Sequence, residues 1–108
     1  MLKAEFFVLD DGNIKGFDIS GHSGYDELGK DIVCAAVSSA AYMAANTIAD
    51  VIGAQVDVTV EDEKGHMSFY VRDKYLSDCG YILKGFKNHL LMLEEMYPEN
   101  IKVFYKGV

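Results

Sequence analysis

The spacing of apolar residues along the chain predicts five β-strands. Apolar and aromatic residues crowd the segment 2–9, and the turn Asp10–Asn13, with glycine as its third residue, is typical of a hairpin leading into a returning strand. In the segment 55–61, three valines alternate with polar residues, which predicts a strand with one buried face. A turn at 62–65 then leads into its partner strand. The predicted strands cover residues 2–9, 14–19, 55–61, 67–72 and 101–105.

Two longer segments show the three- and four-residue spacing of amphipathic helices. The first begins after Asp31, a favourable N-cap residue, and ends at Gly53. The second begins near Ser77 or Asp78 and is closed by Pro98. The predicted buried face of the first helix comprises Val33, Val37, Ala40, Ala44, Ile48 and Val51. That of the second comprises Cys79, Ile82 or Leu83, Phe86, Leu90, Leu93 and Tyr97.

The predicted elements follow one another in the order ββαββαβ. Strand pairs separated by helices favour an α+β fold of two layers, in which one mixed sheet carries both helices on one face. A chain of 108 residues has room for one domain, so we expect residues 1–108 to fold as a single unit.

Charge and cysteine content narrow the classes of function. The net charge of −7 repels phosphate backbones, so direct binding to nucleic acid is not expected, whereas a basic protein partner would be attracted. The apolar N-terminal run is interrupted by Lys3 and Glu5, which is typical of neither a secretion signal nor a membrane span. Two cysteines, Cys34 and Cys79, are too few for a disulfide framework. We therefore expect a cytoplasmic protein with reduced thiols.

Three residues, His22, Asp31 and Cys34, form the candidate chemical site. With Asp31 as the N-cap, Cys34 lies in the first helical turn, near unpaired backbone N–H groups and the positive end of the helix dipole. Both favour the thiolate, which is the nucleophilic form of cysteine. His22 lies in a glycine-rich loop and could act as general base and acid, while helix-start N–H groups could hold an oxyanion.

Each of these residues also has a purely structural interpretation. A cysteine at a helix start is often a small buried hydrophobe, and a loop histidine is often only solvated. Asp31 is a helix cap whatever else it does. Ser38, one turn after Cys34, could line a substrate cleft or simply face solvent. The His22, Asp31 and Cys34 side chains make an uncommon ligand set, so we expect no metal.

The motif around these residues resembles the signature of a known family. The run Gly21–Gly24, with histidine at its second position, is followed after a short spacer by Gly29–Ser38, which contains Asp-Ile-Val-Cys-Ala-Ala. This pattern, together with the length and element order of the whole chain, is similar to the ribosomal-processing cysteine protease family (Prp).

The resemblance implies a specific activity. Members of this family remove the N-terminal extension of a basic large-subunit ribosomal protein, cutting after a pair of phenylalanines, and need no cofactor. By this resemblance Cys34 is the nucleophile and His22 the base, and Asp31 matches a signature acid that is a further candidate catalytic residue. The resemblance also implies a homodimer and a mobile loop at 21–30. We assign substrate contacts to Gly21, Ser23, Gly24 and Ser38.

Two other functions fit the residues alone. A non-enzymatic, ribosome-associated binding module would need the same small size and acidic surface but no reactive thiol. A redox sensor is less well supported, because Cys34 and Cys79 are far apart in the sequence and form no Cys-x-x-Cys motif.

Overall fold

The computed structural model describes residues 1–27, 29–61 and 65–108. The strands are β1 (Leu2–Val8), β2 (Ile14–Ser20), β3 (Val56–Glu61), β4 (His66–Val71) and β5 (Ile101–Gly107). The helices are α1 (Ile32–Asn46), which continues into a π-helical segment at Thr47–Ile52, and α2 (Leu76–Met96), which follows a 3₁₀ turn at Asp73–Tyr75. This order confirms the predicted ββαββαβ arrangement. The predicted turn at 62–65 falls largely outside the described residues.

All five strands form one mixed sheet in the order β3-β4-β2-β1-β5. Only β1 and β5 run parallel, and the other neighbouring pairs are antiparallel. The register aligns Phe6, Phe17 and Phe69 across the three central strands. Phe86 of α2 packs on this row, with its ring centroid 4.8 Å from that of Phe17. The sheet and the helices that cover one of its faces therefore share an aromatic core, as the two-layer prediction requires.

The first helix departs from its predicted buried face near its C-terminal end. Val33, Val37 and Ile48 are buried as predicted, but Val51 is 80% exposed. A π-helical segment has more residues per turn than an α-helix, so it rotates Val51 away from the stripe that an α-helical period assigns to it. The helical stretch 32–52 is long and apolar enough to cross a membrane. Here its buried side chains belong to the same core as the sheet.

The strand predicted at 55–61 is present, but the prediction that one of its faces is buried is wrong. Val58 and Val60 point to the helical side of the sheet but are 47% and 42% exposed. The strand β3 lies at the edge of the sheet, and the helices pack over its centre, so alternation gave the correct element but not its burial. This exposed edge borders the cleft described below.

Candidate active site

Asp31 caps α1 as its sequence predicts. Its Oδ1 accepts hydrogen bonds from the N–H groups of Val33 and Cys34, both at 2.9 Å, and its backbone carbonyl accepts one from Ala35 at 3.1 Å. Two of the amides that have no partner within the helix, those of Val33 and Cys34, are thereby satisfied. Because three helix-start amides already donate to Asp31, the expectation that they would hold an oxyanion is not supported.

The second carboxylate oxygen of Asp31 holds the preceding loop. Oδ2 accepts hydrogen bonds from the hydroxyl of Ser23 and from the backbone N–H groups of Tyr25, at 3.2 Å, and Asp26, at 3.4 Å. Burial alone would raise the pKa of this carboxyl, but the hydrogen bonds from Ser23, Cys34, Asp26 and Val33 outweigh it and lower the pKa to about 2. Asp31 is thus a charged anchor between the loop and the helix.

The same loop brings a backbone donor to the sulfur of Cys34. The N–H of Ser23 lies 3.2 Å from Cys34 Sγ and donates to it. Cys34 is half-buried and is a free thiol. Ser23 thus places a backbone donor directly against the Cys34 sulfur. Since Ser23 directly follows His22 in the chain, the contact also holds the backbone beside His22 close to the thiol.

A cleft of about 190 Å³ joins the two predicted catalytic residues, because both His22 and Cys34 line it. Gly21 and Ser38, which we assigned to substrate, line the same cleft. The rest of its wall is mainly apolar and comprises Leu2, Ile19, Val37, Ala41, Tyr42, Val60, Gly65, His66 and Met67. The arrangement puts the candidate nucleophile and the candidate base beside an apolar surface that could receive a bulky side chain.

The other two assigned substrate residues lie outside this cleft wall. Ser23 is only 2% exposed, and its hydroxyl is hydrogen-bonded to Asp31. The structure therefore gives its side chain an anchoring role in place of a substrate contact. Gly24 is exposed in the loop, with a φ of +73°.

Asn100 and Tyr97, which the sequence did not identify as site residues, also contact the loop. The side-chain amide of Asn100, between α2 and β5, donates to the carbonyl of Ser23 at 3.0 Å. The ring of Tyr25 packs edge-on against Tyr97, with centroids 5.5 Å apart. Within the predicted mobile loop 21–30, of which residue 28 lies outside the described residues, the segment 23–26 is therefore tied at several points.

The remaining cysteine and histidines have other surroundings. Cys79 is fully buried, and this burial, with the nearby charge of Asp78, raises the pKa of its thiol. His66 Nε2 lies 2.6 Å from Asp18 Oδ1, and this hydrogen bond raises the pKa of the imidazole. His89 is exposed on α2. Across residues 1–27, 29–61 and 65–108, no three acidic, histidine or cysteine side chains converge to hold a metal ion.

Comparison with known sequences finds relatives that match almost the whole chain. The chain matches the family model of the cysteine protease Prp over residues 1–102. The ribosomal processing cysteine protease Prp of Staphylococcus aureus is 30% identical over 106 residues, which span 98% of this chain and 100% of the relative. The protein of the same name from Bacillus subtilis is 23% identical over 107 residues, which span 95% and 96%.

Solved structures of the same family have the same fold. The S. aureus protease in complex with a covalently linked product peptide has a TM-score of 0.91 at 30% identity, covering 98% of this chain and 100% of that one. Its complex with a substrate peptide has a TM-score of 0.86 at 29% identity, with the same coverage. These matches confirm the predicted α+β fold.

The matches also decide between the functions that the sequence left open. The family model and the relatives are named as cysteine proteases, so the non-enzymatic binding module is not supported. The match of the family model extends over nearly the whole chain, well beyond the short motif around His22 and Cys34. This chain therefore belongs to the family of the cysteine protease Prp and is itself a cysteine protease.

Proposed function

We propose that this protease removes the N-terminal extension of a large-subunit ribosomal protein, cutting after a Phe-Phe pair, with Cys34 as nucleophile and His22 as base. The observation that carries the proposal is the shared cleft: both side chains line it, and the N–H of Ser23 donates to the Cys34 sulfur. The proposed role in ribosomal processing is supported by the names of the S. aureus and B. subtilis relatives.

The chemistry follows from the two side chains. The Cys34 thiolate attacks the scissile carbonyl carbon, and the C–N bond then breaks to leave a thioester on the sulfur. The leaving amine takes its proton from the His22 imidazolium. His22 next removes a proton from water, which attacks the thioester and releases the carboxylate product and the thiol. Asp31 acts indirectly, because it positions the loop that carries His22 and the helix that carries Cys34.

The surroundings of the cleft suit the proposed substrate. Val37, Ala41 and Met67 offer apolar wall to phenylalanine side chains, and the small residues leave space beside the thiol. The net charge of −7 favours encounter with a basic ribosomal protein. We further propose a homodimer in the cytoplasm, which light scattering of the purified protein and fractionation of cells test respectively.

The decisive experiment uses a peptide with a basic N-terminal extension that ends in Phe-Phe-Ala. The protein, its Cys34→Ala variant and its Cys79→Ala variant are each incubated with the peptide, and the products are read by mass spectrometry. We expect cleavage after the second phenylalanine by the unmodified protein and by Cys79→Ala only. Cleavage by Cys34→Ala would disprove the nucleophile, and a cut elsewhere would disprove the specificity.

A further inference from the structure

The imidazole of His22 lies against a backbone position that has no side chain. Gly65 stands directly before β4, and a Cβ built on it would lie 2.8 Å from Cε1 and 3.1 Å from Nε2 of His22. The same Cβ would lie 2.9 Å from the carbonyl oxygen of Gly21. Real Cβ atoms rarely approach other heavy atoms so closely, so a side chain here would displace the segment 21–22.

No hydrogen bond among the described residues holds the His22 ring. The side chain is exposed, and it makes no hydrogen bond with any of the residues that the structure describes. Gly65 therefore limits the position of the imidazole on one side, but no hydrogen bond would restore that position if the ring were displaced. A small change at position 65 should consequently be transmitted to the ring.

Gly65 itself is held in place relative to the strand that leads to His22. The next residue, His66, is hydrogen-bonded to Asp18 of β2 at 2.6 Å, and Met67 pairs with Ile19 in the sheet. The strand β2 ends at Ser20, immediately before Gly21 and His22. One side of the histidine is thus fixed by its own strand, and the other side by the neighbouring strand through Gly65.

We propose that Gly65 is a positioning residue, whose missing side chain sets the orientation of the His22 imidazole in the cleft beside Cys34. This inference rests on the proposed catalytic role of His22. Two properties of this position favour glycine: its φ of +58°, which most side chains disfavour, and the adjacent space that the His22 imidazole occupies. The proposal concerns the space that the imidazole occupies.

The chain supplies a matched control for backbone conformation. Gly12, in the turn between β1 and β2, has a φ of +87°, and a Cβ there would meet nothing within 4 Å. The Gly12→Ala variant therefore carries the conformational cost without a steric contact. Asparagine tolerates a positive φ better than alanine, so Gly65→Asn removes much of that cost while keeping the contact with His22.

The first measurement is steady-state cleavage of the Phe-Phe-Ala peptide by Gly65→Ala, Gly65→Asn and Gly12→Ala. We expect both Gly65 variants to lose about 10²-fold in kcat, the size of loss that follows from misplacing a catalytic group by about 1 Å, with KM little changed. Gly12→Ala should match the unmodified protein. Protection of buried Cys79 from alkylation shows that each variant is folded. Activity of either folded Gly65 variant equal to that of Gly12→Ala would overturn the proposal.

A double-variant cycle tests whether Gly65 acts through His22. The rate of Cys34 alkylation is measured for His22→Ala, Gly65→Ala and the protein carrying both substitutions. If Gly65 acts through His22, Gly65→Ala slows alkylation only when His22 is present. An equal slowing in the His22→Ala background would overturn the proposal. Failure of the proposed function looks different, because His22→Ala alone would then cleave the peptide at the full rate.

Discussion

Each of the two helices carries a cysteine in its first turn, yet the two helix starts differ in almost every other respect. At the start of α1, Asp31 caps the helix, and Cys34 is half-buried at the wall of a cleft. At the start of α2, the N-cap Tyr75 makes no side-chain hydrogen bond to the helix, and Cys79 is fully buried. Sulfur at a helix N-terminus is therefore common to both regions.

What separates the two sulfurs is the environment beyond the helix. Cys34 receives a hydrogen bond from the N–H of Ser23, which the loop supplies. Cys79 is surrounded by core side chains, and its burial together with Asp78 raises the pKa of its thiol. A helix dipole of modest size cannot compensate for complete loss of solvent. The comparison teaches that the loop, more than the helix, makes Cys34 a candidate nucleophile.

The largest expected difference between the two regions is in reactivity. In the folded protein we expect iodoacetamide to modify Cys34 rapidly and Cys79 only after unfolding, because the Cys79 thiol is inaccessible and kept protonated. Peptide mapping by mass spectrometry over a time course measures both rates in one sample. Addition of denaturant should make the two rates converge. Equal, slow modification of both thiols in the folded state would break the comparison.

The second expected effect follows from removing the anchor of the α1 start. Asp31→Ala deletes the helix cap, at about 0.5–2 kcal/mol, and leaves the buried Ser23 hydroxyl without its acceptor, at about 1–3 kcal/mol. We expect a loss of roughly 2–4 kcal/mol in the free energy of unfolding. Because the loop is then released from the helix, cleavage should fall about 10²-fold. Urea titration and peptide cleavage measure the two quantities.

The uncapped start of α2 supplies the control for this variant. Tyr75 makes no capping hydrogen bond, so Tyr75→Phe should leave cleavage unchanged. A fall in stability without any fall in activity for Asp31→Ala would show that Asp31 is only a helix cap.

A third expected effect is the acid dependence of the same anchor. The pKa of Asp31 is lowered from 3.8 to about 2 in the folded protein, so the folded state binds fewer protons than the unfolded state between these values. Its stabilising contribution is therefore complete above the unfolded value and is lost as the pH falls from there through about 2. Asp31→Asn cannot titrate, so the stability difference between the two proteins should shrink over this interval.

Chemical denaturation at successive pH values between neutrality and the acid limit of the fold measures that difference. The contributions of the other carboxylates cancel in the subtraction, since both proteins contain them. A difference that stays constant with pH would mean that the charge of Asp31 contributes nothing to the stability of the loop.

The order of elements and the start of α1 were predictable because their causes are local in sequence. Alternation, turn residues and the Asp31 cap act within a few residues of one another. The exposure of Val51 was not predictable, since a π-helical segment leaves no periodic signal in a short run of apolar residues. The exposure of Val58 was missed for another reason: alternation identifies a face, but only the sheet order shows that β3 lies at an edge.

The same distinction applies to the site. His22, Asp31 and Cys34 lie close together in the chain, and the structure brings them around one loop and one helix start. Their catalytic roles stay predictions that the variants above test. Asn100 and Gly65 reach the site only through the folding of distant elements, so no spacing in the sequence could point to them.

The smallest expected effect concerns the distant support of the loop. Asn100→Ala removes the donor to the Ser23 carbonyl, which should cost about 1 kcal/mol in the free energy of unfolding. Asp31 still holds the other side of Ser23, so we expect cleavage to fall only a few-fold, well short of the loss in Asp31→Ala. Asn88→Ala, at an exposed position of α2, is the matched control and should lose neither stability nor activity. If Asn100→Ala instead matched Asp31→Ala in activity, the loop would depend on both supports equally, and Asp31 would no longer be the main residue that holds the loop against Cys34.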